Sequence, residues 1–222
     1  MDEQIILDNI RRVSVEVVLP TNHLNYLKKL KLDGFEPKII YDIGSCVSHW
    51  TREARLIWPN ARFFLFDGNR DVEFLYKEKD DDYFIGILGD RTGRIIKWYE
   101  NRILVGGNSY YRENNDQVFP PDQYTYRMTH ALDDVVKSMA IPPPDLVKID
   151  VQGAEKDVVD GGIKSLSHAQ HLIIEIQDTE YNIGAPKADK TIPYIEKVLN
   201  VRCVGYKICD NGPDADYAFA KV

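Results

Sequence analysis

Three carboxylates stand where a short apolar run gives way to a glycine-bearing turn: Asp42, Asp67 and Asp150. Asp150 follows Leu146-Val147-Lys148-Ile149, a run suited to a buried parallel strand, and precedes Gly153 and a helical pattern from Ala154. Asp42 ends a strand from Lys38 to Ile43 and is followed by Gly44 and Ser45. Asp67 ends Arg62-Phe63-Phe64-Leu65-Phe66, 23 residues beyond Gly44, with Gly68 next. Such acids accept hydrogen bonds from ribose hydroxyls, hold a cation or take a proton. A glycine at a strand-to-helix turn lets backbone N–H groups face a ligand. An acid about 20 residues past that turn is the usual partner of a ribose diol. Glu175, near the end of a strand over Gln170–Gln177, and His130 are further candidates for proton transfer. His168 and His171 lack neighbouring ligand types, so no metal site is expected.

The elements that must position these residues alternate. After Gly44 a helix is expected over Ser48–Trp58. A strand over Tyr83–Leu88 runs into Gly89-Asp90. Arg94–Tyr99 reads as an added antiparallel strand, and Leu132–Val136 opens a helix with Asp133 and Asp134 in its first turn. A helix follows Glu155 and another spans about Thr191–Asn200. Arg202–Ile208 and Tyr217–Val222 close the chain as two strands joined at Asp210-Asn211-Gly212-Pro213. Before the first core strand, Val13–Val17 alternates like an edge strand and Thr21–Leu32 reads as a helix. Strands alternating with helices predict an α/β, doubly wound, mostly parallel sheet with its ligand at the carboxyl ends. The segment Gly106–Arg127 is long, irregular and rich in tyrosine, which suits the wall of a binding site.

Composition narrows the function. The chain has 222 residues, 44% hydrophobic and 28% charged, with a formal net charge of -7. It has no Lys/Arg-dense run, which disfavours nucleic acid as partner. Cys46, Cys203 and Cys209 lack paired spacing and read as reduced thiols of a cytoplasmic protein. No apolar run is long enough to span a membrane. Residues 1–36 read as an N-terminal extension or lid, and 37–222 as one catalytic domain.

From about Ile39 to Leu199 the chain resembles the FkbM family of S-adenosylmethionine (SAM)-dependent methyltransferases. The matching pieces are Tyr41-Asp42-Ile43-Gly44, Phe66-Asp67, Leu88-Gly89-Asp90-Arg91-Thr92-Gly93 and Gly107-Asn108-Ser109. Ala131-Leu132-Asp133-Asp134-Val135 and, most diagnostic, Asp145 to Glu155 complete the series in order. The resemblance implies a class I, Rossmann-like sheet of seven strands with the last antiparallel. It implies methylation of a hydroxyl, on a sugar or glycan first and on a natural-product scaffold second, with S-adenosylhomocysteine (SAH) as product. Asp42 and Gly44 would face the methionine end of SAM, Asp67 the ribose, Gly89 and Asp90 the adenine, and Asp150 the sulfonium and acceptor. Ser45, Gly68 and Val151 complete the expected cofactor set. Asn108, Ser109, Tyr110, Tyr111 and Gln152 are the expected acceptor contacts.

The chain departs from the family pattern at four positions. Cys46 and Ser48 replace the usual Asn and second glycine, Asp67 replaces Glu, and Gln152 replaces Glu. Ser48 is a candidate helix cap whose side chain would crowd the cofactor. Two rival classes remain. An NAD-linked sugar-modifying enzyme would share the sheet but needs G-x-G-x-x-G, which Gly44-Ser45-Cys46-Val47-Ser48 does not supply. A non-catalytic SAM/SAH-binding module would accommodate the altered first motif.

Overall fold

A computed structural model describes residues 3–210 and 212–222, with backbone alone at Tyr206, Lys207, Cys209 and Asp210. Asn211, inside the expected closing turn, lies outside the described residues. The helices are α1 Glu3–Glu16, α2 Thr21–Leu32, α3 His49–Ile57, α4 Glu73–Glu78, α5 Leu132–Ser138, α6 Glu155–Gly161, α7 Ile163–Leu166 and α8 Ala188–Leu199. The strands are β1 Ile39–Ile43, β2 Arg62–Asp67, β3 Asp82–Ile85, β4 Ile87–Leu88, β5 Ile95–Trp98, β6 Thr125–His130, β7 Leu146–Ile149, β8 His171–Gln177, β9 Val201–Asp210 and β10 Asp214–Lys221.

Seven strands form one sheet in the order β3-β2-β1-β7-β8-β10-β9. Its first five strands are parallel. The last strand of the chain, β10, enters antiparallel between β8 and β9. The mostly parallel, doubly wound sheet inferred from the sequence is therefore present. Its central strands have near-continuous burial, as a sheet covered on both faces requires. One core cluster contains Tyr41, Ile43, Val147, Ile149, Val158 and Ile174; the other contains Ile40, Leu65, Leu146 and Ile173. Alternate residues of one strand thus feed opposite faces.

Several local expectations are corrected. Val13–Val17 is not an edge strand: Val13 lies within α1, and Val17 follows its end. Ile6, Ile10, Val13 and Val17 recur at helical spacing, with Ile6 and Ile10 fully buried, whereas Val15 is exposed. Chance alternation over five residues misled the local reading. Tyr83–Leu88 is not one strand. Gly86 divides β3, in the main sheet, from β4, which joins β6 and β5 in a separate three-stranded sheet. The end of the supposed irregular stretch lies in β6, whose polar sequence carries little of an apolar strand signal. Helix α8 begins before Thr191 and contains Pro193.

The N-terminal helices pack against the core. Ile6 and Ile10 of α1, with Leu27 and Leu30 of α2, join the cluster that contains Ile40 and Leu65. Arg52 of α3 donates to the carbonyls of Ser14 and Val17, fixing the end of α1. Among the described residues, no helix is long and apolar enough to cross a membrane.

Candidate active site

The carboxyl ends of β1, β2 and β7 meet in one cleft. Gly44 turns the chain with φ +81°, a left-handed conformation that glycine adopts readily. A Cβ there would lie 1.7 Å from the Asp150 carbonyl oxygen, so β1 and β7 can approach only because the side chain is absent. Gly44, Asp67, Gly68, Asn108, Tyr110, Asp150, Val151 and Gln152 line this cleft. These are eight of the sequence-derived positions. Cys46, Ile87, Leu88, Trp98 and Val105 add walls that local sequence reasoning did not assign.

Asp67 is already engaged by the chain. One carboxylate oxygen accepts from the Cys46 N–H at 2.7 Å and the other from the Asn69 N–H at 2.7 Å. Burial raises its pKa to about 6, opposed by those backbone donors. Each oxygen retains a second lone pair, so ribose hydroxyls could bind without displacing the donors.

A second cavity, of about 140 Å³, adjoins the first and shares Gly44 and Asp150 with it. It holds a buried polar chain. The Trp50 indole N–H donates to His23 Nε2 at 2.8 Å, which leaves the proton on Nδ1 to donate to Asp216 at 3.2 Å. Lys148 Nζ donates to Asp216 at 2.7 Å and to Asp150 at 3.3 Å. Gln152 Nε2 then bridges Asp150 at 3.0 Å and Glu175 at 2.6 Å. Burial raises the pKa of Asp150, but Lys148 and its hydrogen bonds outweigh that and hold it below the usual range. Burial and the Asp150 charge push Glu175 well above its range. Of the pair, Asp150 is therefore the more readily ionised and Glu175 the more readily protonated.

The other sequence-derived residues have different surroundings. Asp42 is buried in the second cavity and accepts from Thr51 at 2.5 Å, while burial raises its pKa to about 7. Ser45 is buried there too, with its hydroxyl 2.8 Å from that of Tyr76. The Gly89 N–H donates to the His130 carbonyl, and Asp90 pairs with Arg94; neither residue lines the cleft. Ser109 is buried beside Val151, and Tyr111 bonds Asp157 away from the cleft walls. His130 packs edge-on against Phe84 and lines neither cavity.

Ser48 does not behave as the sequence suggests. It occupies the N-cap of α3 at φ 57°, but its hydroxyl makes no capping bond. It accepts from Lys79 at 2.9 Å and lines neither cavity. Cys46 is left-handed as well, at φ 45°. The loop thus keeps a backbone conformation suited to glycine or asparagine without having either at those positions.

Glu155, buried at the start of α6, shapes the loop after β7. Its carboxylate accepts from Val151 N–H at 3.1 Å and Gly153 N–H at 3.0 Å. His49 is another residue that local motif reading missed. It is the first residue of α3 and lines the second cavity. Nothing in its neighbourhood along the chain marks it; only the packing brings it near Asp150 and Glu175.

The Methyltransferase FkbM domain family matches residues 50–208. The chain belongs to the FkbM methyltransferase family. No curated protein sequence matches the chain. Among solved structures, the O-methyltransferase TomG from Streptomyces achromogenes, involved in Tomaymycin synthesis and in complex with SAM, is similar at a TM-score of 0.54 and 10% identity. That match covers 99% of this chain and 88% of the other. A protein assigned as an O-methyltransferase from Klebsiella pneumoniae is similar at a TM-score of 0.52 and 10% identity, covering 99% of this chain and 89% of the other. These likenesses concern the fold.

The methyltransferase uses SAM as its cofactor. The donor set fits that group: a glycine turn for close backbone approach, a strand-end carboxylate for a diol, and an anion at Asp150 for a sulfonium. The cleft itself has a volume of only about 60 Å³. Drug-sized ligands occupy pockets of roughly 300–1,000 Å³. The cleft alone is smaller than such a ligand, and it continues past Gly44 and Asp150 into the second cavity. Trp98 packs over Gly68, where an added Cβ would lie 2.8 Å from its ring.

Proposed function

We propose that this methyltransferase O-methylates a hydroxyl group of a small acceptor. The observation that carries the reading is the convergence of Gly44, Asp67 and Asp150 on one cleft. Bound SAM would supply an electrophilic methyl group on a good leaving group. The chain's part is then to align the acceptor and receive a proton, and alignment alone can contribute about 7–11 kcal/mol. Asp67 would hold the ribose diol, Gly44 and Gly68 would admit the cofactor backbone-close, and Asp42 and Ser45 would face its methionine end. Gly89 and Asp90 would flank the adenine. Asp150, kept anionic by Lys148, would face the sulfonium and acceptor, with Glu175 as the neighbouring acid. His130 would act only if a rearrangement brought it inward.

The family resemblance supports a sugar or glycan acceptor, met by Asn108, Ser109, Tyr110, Tyr111 and Gln152. A non-sugar scaffold is the second reading, favoured by the apolar walls of a neighbouring cavity. The net charge of -7 supports a small acceptor over a nucleic acid. The unpaired thiols of Cys46 and Cys203 support a cytoplasmic setting. Residues 1–36 would serve as a cover for the catalytic domain.

The test is ligand-dependent stability followed by methyl transfer. SAM and SAH should raise the melting temperature and NAD should not; ligand at 100 times its Kd stabilises by about 2.7 kcal/mol. Labelled SAM should then transfer its methyl group to hydroxylated acceptors in a mixed panel of glycans and apolar alcohols. Stabilisation by NAD alone would overturn the reading.

A further inference from the structure

A third cavity, of about 500 Å³, opens beside the cofactor cleft and shares Cys46, Val105 and Gly106 with it. Its volume is in the range of small-molecule sites. Val13 and Val17 wall one side, and Ile103, Leu104, Val118 and Phe119 the other. Leu104 is 56% exposed although it is a large apolar side chain. Polar groups are few. Glu113 and Tyr181 hydrogen-bond to each other, Asn115 Oδ1 accepts from the Gln117 and Val118 N–H groups, and His49 lies between this cavity and the one that holds Asp150.

His49 is suited to meet a hydroxyl. Its Nδ1 is buried and has no hydrogen-bond partner among the described residues. Burial holds its pKa below the ordinary histidine value, so the imidazole is neutral at pH 7. Several charges bear on it. Asp150 at the end of β7 pulls the pKa up, while Lys148 of β7, Arg52 of its own helix and His23 of α2 pull it down. Glu113 faces the same cavity. A polyhydroxylated ligand needs many convergent polar partners, because each buried hydroxyl without one is costly. These walls supply a mainly apolar surface on which Glu113, Tyr181 and Asn115 already have partners within the chain and His49 Nδ1 has none among the described residues.

We propose that this groove is the acceptor site, that it takes a molecule with an apolar ring body and a single reacting hydroxyl, and that His49 receives that hydroxyl. The proposal rests on the methyltransferase reading and specifies its substrate class. In the transfer, the acceptor oxygen forms a bond to the methyl carbon as the carbon–sulfur bond breaks. That electron pair stays on sulfur, and the hydroxyl proton passes to the His49 imidazole and then to solvent.

The probe is 2-naphthol, titrated into the SAH-loaded protein and followed by its own fluorescence. Wild type should bind it, prefer it to 2-methoxynaphthalene, and retain it in excess glucose. Leu104→Asp should weaken binding by at least about tenfold with SAH affinity unchanged, which also reports that the variant is folded. His49→Leu should erase the preference for the free hydroxyl. Absence of naphthol binding, displacement by glucose, or an unchanged affinity in Leu104→Asp overturns the groove assignment. A preserved hydroxyl preference in His49→Leu removes His49 from the site. A parallel titration with SAH alone separates the two levels: naphthol binding without SAH binding would sink the methyltransferase reading and leave the groove's chemistry standing.

Discussion

Asp67 and Asp150 are two strand-end carboxylates with different surroundings. Asp67 is held by two backbone N–H donors and has spare lone pairs toward the cleft. Loss of hydrogen bonds to a charged group costs about 1.5–3 kcal/mol. Asp67→Ala should therefore weaken SAH binding by about 10–150-fold in calorimetry. Unchanged affinity would place the ribose contact elsewhere. Asp150 instead has Lys148 and Gln152 as side-chain donors. Its depressed pKa makes it a weak base but a durable anion. Asp150→Asn should accordingly leave the pH profile of turnover intact while lowering its plateau by about 10²-fold through lost alignment of donor and acceptor. If the variant instead loses the acid limb of that profile, Asp150 is the proton acceptor and His49 is not.

At the level of elements, the site depends on how closely β1 and β7 approach. Gly44→Ala would drive a methyl group into the Asp150 carbonyl, whereas at Gly34, also at positive φ, an added Cβ would meet nothing within 4 Å. Gly34→Ala should therefore cost only backbone strain, about 1–2 kcal/mol. Gly44→Ala should cost clearly more in urea unfolding and should lose SAH binding, because β1 or β7 must shift. Equal effects at the two positions would show that the close approach is not needed. The N-terminal helices matter at the same level. Helix α2 places His23 against Asp216, and that contact continues through Lys148 to Asp150. His23→Ala would leave Trp50 and Asp216 each short of a buried partner. A loss of about 1–3 kcal/mol in stability is expected for each group left unsatisfied.

The whole molecule has an unusual balance of buried acids, and its pH dependence follows. Burial pushes Asp42 up to about 7, Asp67 to about 6 and Glu155 to about 7, against 3.8 for an ordinary Asp and 4.5 for Glu. The folded chain therefore binds protons more tightly than the unfolded chain between about pH 4 and 7, so stability falls as pH rises through that window. Asp150 and Asp216, whose values are lowered, have the opposite sign. Their contribution is present above the ordinary Asp value and is lost as pH falls below it. The melting temperature of the ligand-free protein should thus peak on the acid side of neutrality. Scanning calorimetry across pH 4–8 checks this, and Asp42→Asn should flatten the slope between about pH 5 and 7. A wild-type melting temperature that climbs from pH 5 to 7 would contradict the assignment.

The amino-acid sequence determined the alternation of apolar strands and helices, and with it the doubly wound sheet, because buried parallel strands need continuous apolar runs whatever packs on them. It also determined which residues end those strands. Asp42, Asp67 and Asp150 could be placed at the ligand end because strand periodicity and glycine turns are local signals. The α1 error and the missed β6 mark where that locality fails: five alternating residues fit both periods, and a polar strand fits neither well. Only the tertiary structure decided which strand-end residues share a cavity. It joined Asp67 to Asp150 and Tyr110, turned Asp90 toward Arg94, and set His49 between two cavities. It also tied His23, from the N-terminal helices, to Asp216 near the other end of the chain. Such pairings depend on contacts among residues far apart in sequence, so the spacing within any one motif does not encode them.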